Sequence, residues 1–303
     1  MLPRRTSQRV RALPALLIAA LVLVAAAALG ACGGGEPSST ATATAPVSAN
    51  SSPSPSPAPT PTSSPVGTTR LSVYFLRGEQ LGVAARRVPQ TQAVAAAAVR
   101  ALCAGPTAAE RAAGLSTAIP SGTALRSVGI SGGVALVDLS SAYDSGGGSL
   151  SMAARVAQVV YTLTQFPGIK AVSFALDGEP ISMLGGEGVA VAPPQRRADW
   201  VGFEPPIFVE APGAGAALSS PFVLRGTASV FEGTLLAELR DDSDRRIVRV
   251  VVQASLGAPE RGDFRKSMTF TTAATKGTLI VYDQSMEDGA RLDEVRIPVT
   301  FAR

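Results

Sequence analysis

The amino-acid sequence predicts an α+β domain over residues 70–186 and an all-β sandwich over residues 206–303. In the first region a strand, a helix, a hairpin, a second helix and a further strand follow one another. This order favours a small, mostly antiparallel sheet with two helices on one face. In the second region apolar residues alternate with polar ones and no helical stretch occurs. Four prolines within residues 187–206 interrupt both patterns, so residues 187–205 are predicted to be a linker.

Residues 1–31 have the pattern of a secretory signal peptide. Four arginines and no acid lie among the first eleven residues, and an apolar block follows over residues 13–29. The block ends in Leu29-Gly30-Ala31-Cys32, which resembles the bacterial lipobox. This resemblance implies that the Cys32 thiol carries a diacylglyceryl group, which makes membrane lipid a partner of the chain. An uncleaved anchor helix is the alternative, because the block approaches the ~20 residues that span a bilayer. Both interpretations place the rest of the chain outside the cytoplasmic membrane.

Residues 32–69 are predicted to be a disordered tether. They are mostly Ser, Thr, Pro, Ala and Gly, with one acid and no aromatic side chain, so they cannot bury enough apolar surface to fold. As a flexible coil such a segment spans roughly 30–35 Å. The tether would therefore hold a folded module away from the membrane surface.

The charge balance argues against a nucleic-acid partner. The chain has 27 basic and 23 acidic residues, a net charge of +4. Four of the arginines belong to the signal, so the mature chain has 23 basic and 23 acidic residues and is neutral. A neutral chain offers no general attraction to nucleic acid.

The first domain begins with a predicted strand over residues 70–77, "RLSVYFLR", followed by an alanine-rich helix over residues 91–103. Gly105-Pro106 ends this helix, and Thr107 is the expected N-cap of a short helical turn. Two alternating segments then flank Gly132-Gly133, the loop chemistry of a two-residue hairpin, because both glycines can take positive φ.

A second helix is predicted over residues 150–165. Its apolar stripe consists of Met152, Val156, Val159, Val160, Leu163 and Phe166. Polar residues lie largely opposite, at Arg155, Gln158, Thr162 and Gln165. The apolar stripe needs a sheet to cover, and "IKAVSFALDG", residues 169–178, supplies a further strand.

Residues 105–181 resemble the GerMN domain, which occurs in spore-germination, sporulation and other envelope lipoproteins. The resemblance is carried by "GPT", "GLSTAIP", "VDLS", "GGGS" and "VYTLTQFPGI". It implies an α+β fold in an envelope protein related to sporulation or germination.

The second domain is predicted to contain about seven short strands. In "TLLAELRD" the residues Leu235, Ala237 and Leu239 point to one face, and "VRIPVTFA" alternates in the same way. These segments resemble the immunoglobulin-like domain that commonly follows GerMN. Together the two resemblances imply modules that bind partners or assemble, with no enzymatic activity.

The residue types present in the chain exclude most catalytic mechanisms. The chain has no histidine, which excludes Ser-His-Asp triads, Cys-His pairs and His-containing zinc sites. Acids at residues 241–244 and 287–294 do not follow a calcium-loop spacing. Residues 143–149, "YDSGGGS", precede a helix but lack the lysine of a P-loop. No cofactor or metal is therefore expected. A hydrolase using two carboxylates is a distant alternative, with Asp138 and Asp177 at strand ends as its candidates.

Trp200 and Phe203 are the candidate contact residues. They either dock the linker onto the two domains as an interdomain contact or form an aromatic platform for a cell-wall glycan, and docking is favoured because a lone tryptophan beside a boundary usually packs. Cys103 is expected to pack as a small apolar residue, the alternative being an intermolecular disulfide.

The sequence thus predicts an extracytoplasmic lipoprotein that binds an envelope protein or assembles with itself. A cell-wall glycan-binding protein is the alternative. Self-assembly is suggested by "LSVYFL" and "VSFAL", which are apolar in both phases of the strand repeat. In a sheet with one solvent-exposed face, apolar and polar residues would alternate more regularly along each strand. A second subunit or the tandem domain is therefore expected to cover the second face of the sheet or one of its edges.

Overall fold

The computed structural model describes residues 67–186 and 188–302. The signal peptide, Cys32 and nearly all of the tether lie outside the described residues. The described residues belong to one compact unit. No helix in this part of the chain is both long and apolar enough to cross a bilayer.

The first domain is mixed α and β, as the sequence predicts. Its elements in chain order are β1 (Thr68–Arg77), β2 (Gln80–Pro89), α1 (Val94–Cys103), α2 (Ala108–Ala112), β3 (Leu125–Ser131), β4 (Val134–Leu139), α3 (Ser149–Thr164), β5 (Ala171–Leu176), β6 (Glu179–Pro180), β7 (Met183–Leu184) and β8 (Val189–Ala190). β1 pairs with β2, and β7 pairs with β8. The sheet β3-β4-β5-β6 is antiparallel except for the parallel pair β4–β5.

The predicted first strand is one arm of a hairpin. β1 and β2 turn at Gly78, whose φ of 64° lies in the left-handed region that glycine enters freely. The sequence does not predict β2, because Arg86 and Arg87 break its apolar alternation. Arg86 is nevertheless mostly buried, lies over the Phe75 ring at 5.0 Å and pairs with Glu110 at 2.5 Å.

Helix α1 begins three residues later than predicted. Thr91 accepts a hydrogen bond from the backbone N–H of Ala93 at 3.1 Å, a local turn that delays the first helical residue to Val94. α2 has the predicted Thr107 cap. Thr107 and Glu110 form a reciprocal capping box, which satisfies two backbone donors at the start of the helix.

Helix α3 is buried on its polar side as well as its apolar side. Residues 154–163 are all buried, and the helix packs against both β1 and β5. The sequence predicts that the helices cover one face of a sheet. Helix α3 does pack on β5, but it also packs against β1 of the β1–β2 hairpin.

The polar residues of α3 and its C-cap residue Gln165 close the open edge of β1. Gln165 accepts from the Ser72 N–H at 2.9 Å and donates to the Ser72 carbonyl at 2.7 Å. Thr162 accepts from the Tyr74 N–H at 3.2 Å, and Gln158 donates to the Tyr74 carbonyl at 3.2 Å. These side chains take the place of a neighbouring strand, so the β1 edge has no need of another subunit here.

The second domain is a β-sandwich of eight strands among the described residues. They are β9 (Ile207–Ala211), β10 (Ala216–Leu218), β11 (Phe222–Ala228), β12 (Thr234–Asp241), β13 (Arg246–Gln253), β14 (Gly262–Met268), β15 (Lys276–Gln284) and β16 (Arg291–Phe301). One sheet has the order β10-β16-β15-β12-β13 and the other β14-β11-β9. Leu235, Ala237 and Leu239 are buried between the sheets, as their alternation predicts.

Each domain has its own apolar core, but the first core extends across the boundary. It includes Phe208 and Ala214, which belong to the second domain. Trp200 and Phe203 also contribute to the first core. The two apolar phases of β1 are explained by this arrangement, because the tandem domain covers Tyr74.

Candidate functional site

Three aromatic rings form the centre of the joint between the domains. Tyr74 of β1, Tyr161 of α3 and Phe208 of β9 meet with ring centroids 5.7 to 6.1 Å apart. All three side chains are at most 1 % exposed. Tilted and edge-to-face aromatic contacts of this kind stabilise the joint between the two domains.

The carboxylate of Glu210 ties the joint to the linker. It accepts hydrogen bonds from the Tyr74 hydroxyl at 2.9 Å, from Arg225 at 3.0 Å and from Arg197. The Arg197 guanidinium also lies 4.7 Å from the Tyr161 ring centroid. Burial opposes ionisation of Glu210, but the charge and hydrogen bonds of Arg197 outweigh it and lower the pKa of this carboxyl.

The carboxylate of Glu204 makes a similar set of contacts to a tyrosine hydroxyl and an arginine. Glu204 accepts from the Tyr161 hydroxyl at 2.7 Å and from Thr227 at 2.9 Å. Arg261 lies 3.2 Å from the same carboxylate. The linker thus supplies Arg197 and Glu204 as polar bridges between the domains.

Backbone contacts complete the joint. The Ala214 N–H donates to Val83 and the Ala214 carbonyl accepts from Ala85, at 2.8 and 2.9 Å. A Cβ on the preceding Gly213 would lie 2.9 Å from backbone atoms of Ala84 and Ala85. Glycine is required there by the close approach of two backbones.

Trp200 and Phe203 lie in a 3₁₀ helix, Arg197–Phe203, within the linker region. Their ring centroids are 6.2 Å apart. Trp200 is only 9 % exposed, so its ring is not open to a glycan in this arrangement. Both residues pack on the first domain, and the contacts across the joint are made chiefly by other side chains.

The remaining sequence candidates do not assemble into a catalytic site. Asp138 accepts from the Gly178 N–H at 3.0 Å, and Asp177 accepts from the Ser141 N–H at 3.2 Å. Hydrogen bonds from Ser141 and Arg126 lower the pKa of Asp177, whereas a general acid needs a raised one. Both carboxylates therefore act as turn-stabilising acceptors.

The guanidinium of Arg155 holds the glycine-rich loop before α3 in place. Arg155, which is 1 % exposed, donates to the carbonyls of Tyr143, Ser145 and Gly146. The loop therefore presents carbonyl oxygens to a guanidinium, which is the opposite polarity to an anion cradle. The helix begins at Ser149, and Gly148 is its N-cap residue.

Cys103 is half-buried, and burial raises the pKa of its thiol to about 11. A thiol of this kind is protonated and unreactive near neutral pH. Over residues 67–186 and 188–302, no cluster of Cys, Asp and Glu has the arrangement of a metal site.

A shallow groove at one end of the sandwich contains another acid. Burial raises the pKa of Asp283, which lines a groove of about 360 Å³ together with Glu232. The groove walls include Phe231 and Met286, which are 62 % and 86 % exposed. Because the groove is open to solvent, it lacks the enclosure that a carboxylate pair needs for catalysis.

A cluster of charged side chains lies on the outer face of the five-stranded sheet. The strand register places Arg249 opposite Glu238, Glu238 opposite Ile280, and Ile280 opposite Arg296. Directly opposed residues share a face. We define the arginine belt as Glu238 with Arg240, Arg246, Arg249, Arg291 and Arg296.

Glu238 is the buried anchor of the arginine belt, at 2 % exposure. Its carboxylate accepts from Arg240 at 2.8 Å, Arg291 at 3.0 Å and the Tyr282 hydroxyl at 2.9 Å. Burial opposes ionisation, but the hydrogen bonds of Arg240 and Tyr282 outweigh it and lower the pKa of Glu238.

Arginine side chains cover this face of the sheet. Ile280 and Tyr282 are 0 % and 3 % exposed although they belong to neither apolar core. The Arg291 guanidinium lies 4.4 Å from the Tyr282 ring centroid. The sequence does not predict the arginine belt, since its members are spread over three strands, β12, β13 and β16. The local indication of the arginine belt is the pair Glu238 and Arg240, which point outward from the strand segment "AELRD".

The chain matches two family models, over residues 72–182 and 206–290. Their descriptions are sporulation and spore germination for the first, and immunoglobulin-like domain of bacterial spore germination for the second. No curated protein sequence matches the chain.

Solved structures similar to the chain include GerMN domains. The tandem GerMN domains of the sporulation protein GerM from Bacillus subtilis are 17 % identical, with 61 % of this chain and 60 % of that chain covered and a TM-score of 0.38. The first GerMN domain alone is 21 % identical, over 44 % of this chain and 100 % of that chain, with a TM-score of 0.36.

A protein from Clostridium perfringens described as a lipoprotein is 22 % identical, over 48 % of this chain and 98 % of that chain, with a TM-score of 0.33. The family models give the assignment of this chain. It carries a domain of the sporulation and spore germination family Germane, followed by a Gmad2 immunoglobulin-like domain of bacterial spore germination.

Proposed function

We propose that this chain is a non-catalytic binding or assembly module of the cell envelope, held outside the cytoplasmic membrane by a lipid on Cys32. Sporulation or germination is the process we assign to it, from the descriptions of its two families. Neither description names an enzymatic activity. The lipobox-like segment that ends in Cys32 supports the anchor and the location.

The buried joint is the observation that carries the proposal. The Tyr74–Tyr161–Phe208 contact and the carboxylate of Glu210 join two domains that each have a core of their own. Such a joint suits a rigid scaffold that presents surfaces of both domains in a fixed relation. An enzyme that closes over a substrate would need the opposite, a mobile cleft.

Proximity labelling in living cells tests the binding function. The labelling enzyme is fused to the C-terminus of the full chain, and the matched control carries it after residues 1–69 alone. We expect the full chain to label a set of extracytoplasmic proteins that the control does not label. Identical labelled sets would contradict the proposal.

The anchor has its own test. An inhibitor of the lipoprotein signal peptidase is expected to leave residues 1–31 attached, so that the mass of the membrane-bound protein rises. An unchanged mass would contradict lipidation at Cys32.

A further inference from the structure

We propose that the arginine belt of the second domain binds a linear polyanion of the poly(glycerol phosphate) type, whose charges are phosphodiester groups, and not a nucleic acid. This inference rests on the proposed binding function and names the chemical class of one partner. It concerns the outer face of the five-stranded sheet.

The arginine belt has more positive charge than its acids neutralise. Five arginines meet Glu238, Glu294 and the turn residue Asp244 in ion pairs. Two positive charges on the face are therefore left over. Arg246, Arg249 and Arg296 have side chains 54 %, 38 % and 52 % exposed, so a ligand can reach them.

The buried carboxylate holds the arginines in place before any ligand arrives. Arg240 and Arg291 donate directly to Glu238, while Arg249 and Arg246 approach it at 3.6 and 3.9 Å. The last two distances are too long for strong hydrogen bonds, so these guanidiniums keep donors for another anion. A guanidinium fork matches the oxygens of a phosphate, and prior ordering lowers the entropy cost of binding.

The distribution of acids favours a linear polymer over an anionic membrane surface. Asp241, Asp242 and Asp244 lie at the β12–β13 end of the sheet, and Glu287 and Asp288 lie in the β15–β16 turn at the other end. A flat lipid surface would meet these acids together with the arginines. A single chain that crosses the strands from Arg249 to Arg296 avoids the acids at both ends of the sheet, and this path spans three strand spacings, about 14 Å.

Calorimetric titration of the full chain in detergent micelles with poly(glycerol phosphate) tests the inference. The double variant Arg246→Gln/Arg249→Gln is expected to bind roughly tenfold more weakly, because two phosphate contacts are lost. The slope of log K against log salt should become shallower by about 1.4, at ~0.7 per contact. The matched control Arg265→Gln/Lys266→Gln removes the same charge from exposed residues on β14 and should bind as the wild type does.

A parallel titration with phosphatidylglycerol vesicles separates the polymer from a lipid headgroup. Equal weakening in both double variants would overturn the inference, as would absence of polymer binding by the wild type or preferential binding to the vesicles. If polymer binding is absent while the full chain still labels its own set of envelope proteins, this inference fails and the proposed binding function stands.

Discussion

Replacement of Glu210 by glutamine tests the joint between the two domains most simply. Glutamine keeps the size of the side chain and one oxygen for the Tyr74 hydroxyl. It removes the charge that pairs with Arg197 and Arg225, and its amide group faces donors. The substitution should therefore destabilise the joint without disturbing either apolar core.

The size of the effect follows from burial. Removing one partner of a fully buried ion pair costs about 3–5 kcal/mol. The Glu210 side chain is 12 % exposed, but those of Arg197 and Arg225 are 31 % and 43 % exposed, so water partly replaces the lost partner. We expect the free energy of unfolding to fall by about 2–3 kcal/mol. With an m value of about 2–3 kcal/mol per molar urea, the midpoint shifts down by about 1 M.

Urea denaturation followed by tryptophan fluorescence measures this shift. Trp200 is the only tryptophan of the chain, is buried, and lies in the same 3₁₀ helix as Arg197. Arg126→Gln is the control, because it removes the charge pair with Asp177 at an exposed site and should leave the midpoint unchanged. A Glu210→Gln midpoint equal to that of the control would refute the reasoning.

Three further predictions concern the joint and the edge of β1. Gly213→Ala should lower the unfolding free energy by about 1–3 kcal/mol in urea denaturation, because its Cβ would meet the backbone of β2; Gly202→Ala, with open space around its Cβ, should not. Gln158→Leu should cost about 2–4 kcal/mol in the same assay, since it leaves the buried Tyr74 carbonyl and the partly buried Ala118 N–H unpaired; a neutral effect would contradict the strand-edge role of α3. The pKa of Glu210 is lower in the folded protein than in the unfolded chain, so the ionised carboxylate stabilises the fold. This contribution is complete above about pH 4.3, the ordinary pKa of glutamate, and is lost as the pH falls through the lower pKa of the folded protein. Denaturation midpoints should therefore be steady from pH 7 to 5 and fall below about pH 4, less steeply in Glu210→Gln; equal acid sensitivity of the two proteins would contradict the assignment.

Local patterns predicted the elements whose partners are close in sequence. The Gly132-Gly133 loop predicted the β3–β4 hairpin, and Thr107 predicted the cap of α2. The alternation around Leu235 predicted a sandwich strand with one face in the core. In each case the residue types alone determine the local backbone or the face that is buried.

Elements that depend on distant partners could not be predicted. A polar stripe on a helix has the same period whether it faces water or the edge of a strand, so the role of Gln158 and Thr162 against β1 is invisible in the sequence. Glu210 and Arg197 come together only because β9 folds against β1 and the linker. The arginine belt likewise requires the strand order β16-β15-β12-β13, which no local pattern contains.

A distance measurement between the two domains tests the central claim, that they act as one rigid body. Spin labels are placed at the exposed positions Ser131 and Ser267, in a chain whose Cys32 and Cys103 are replaced by serine. Labels at Ser219 and Ser267, both in the second domain, give the width expected for a rigid pair. Pulsed electron paramagnetic resonance should give one interdomain distance with that same width. A broad or bimodal interdomain distribution beside a narrow control would contradict the account.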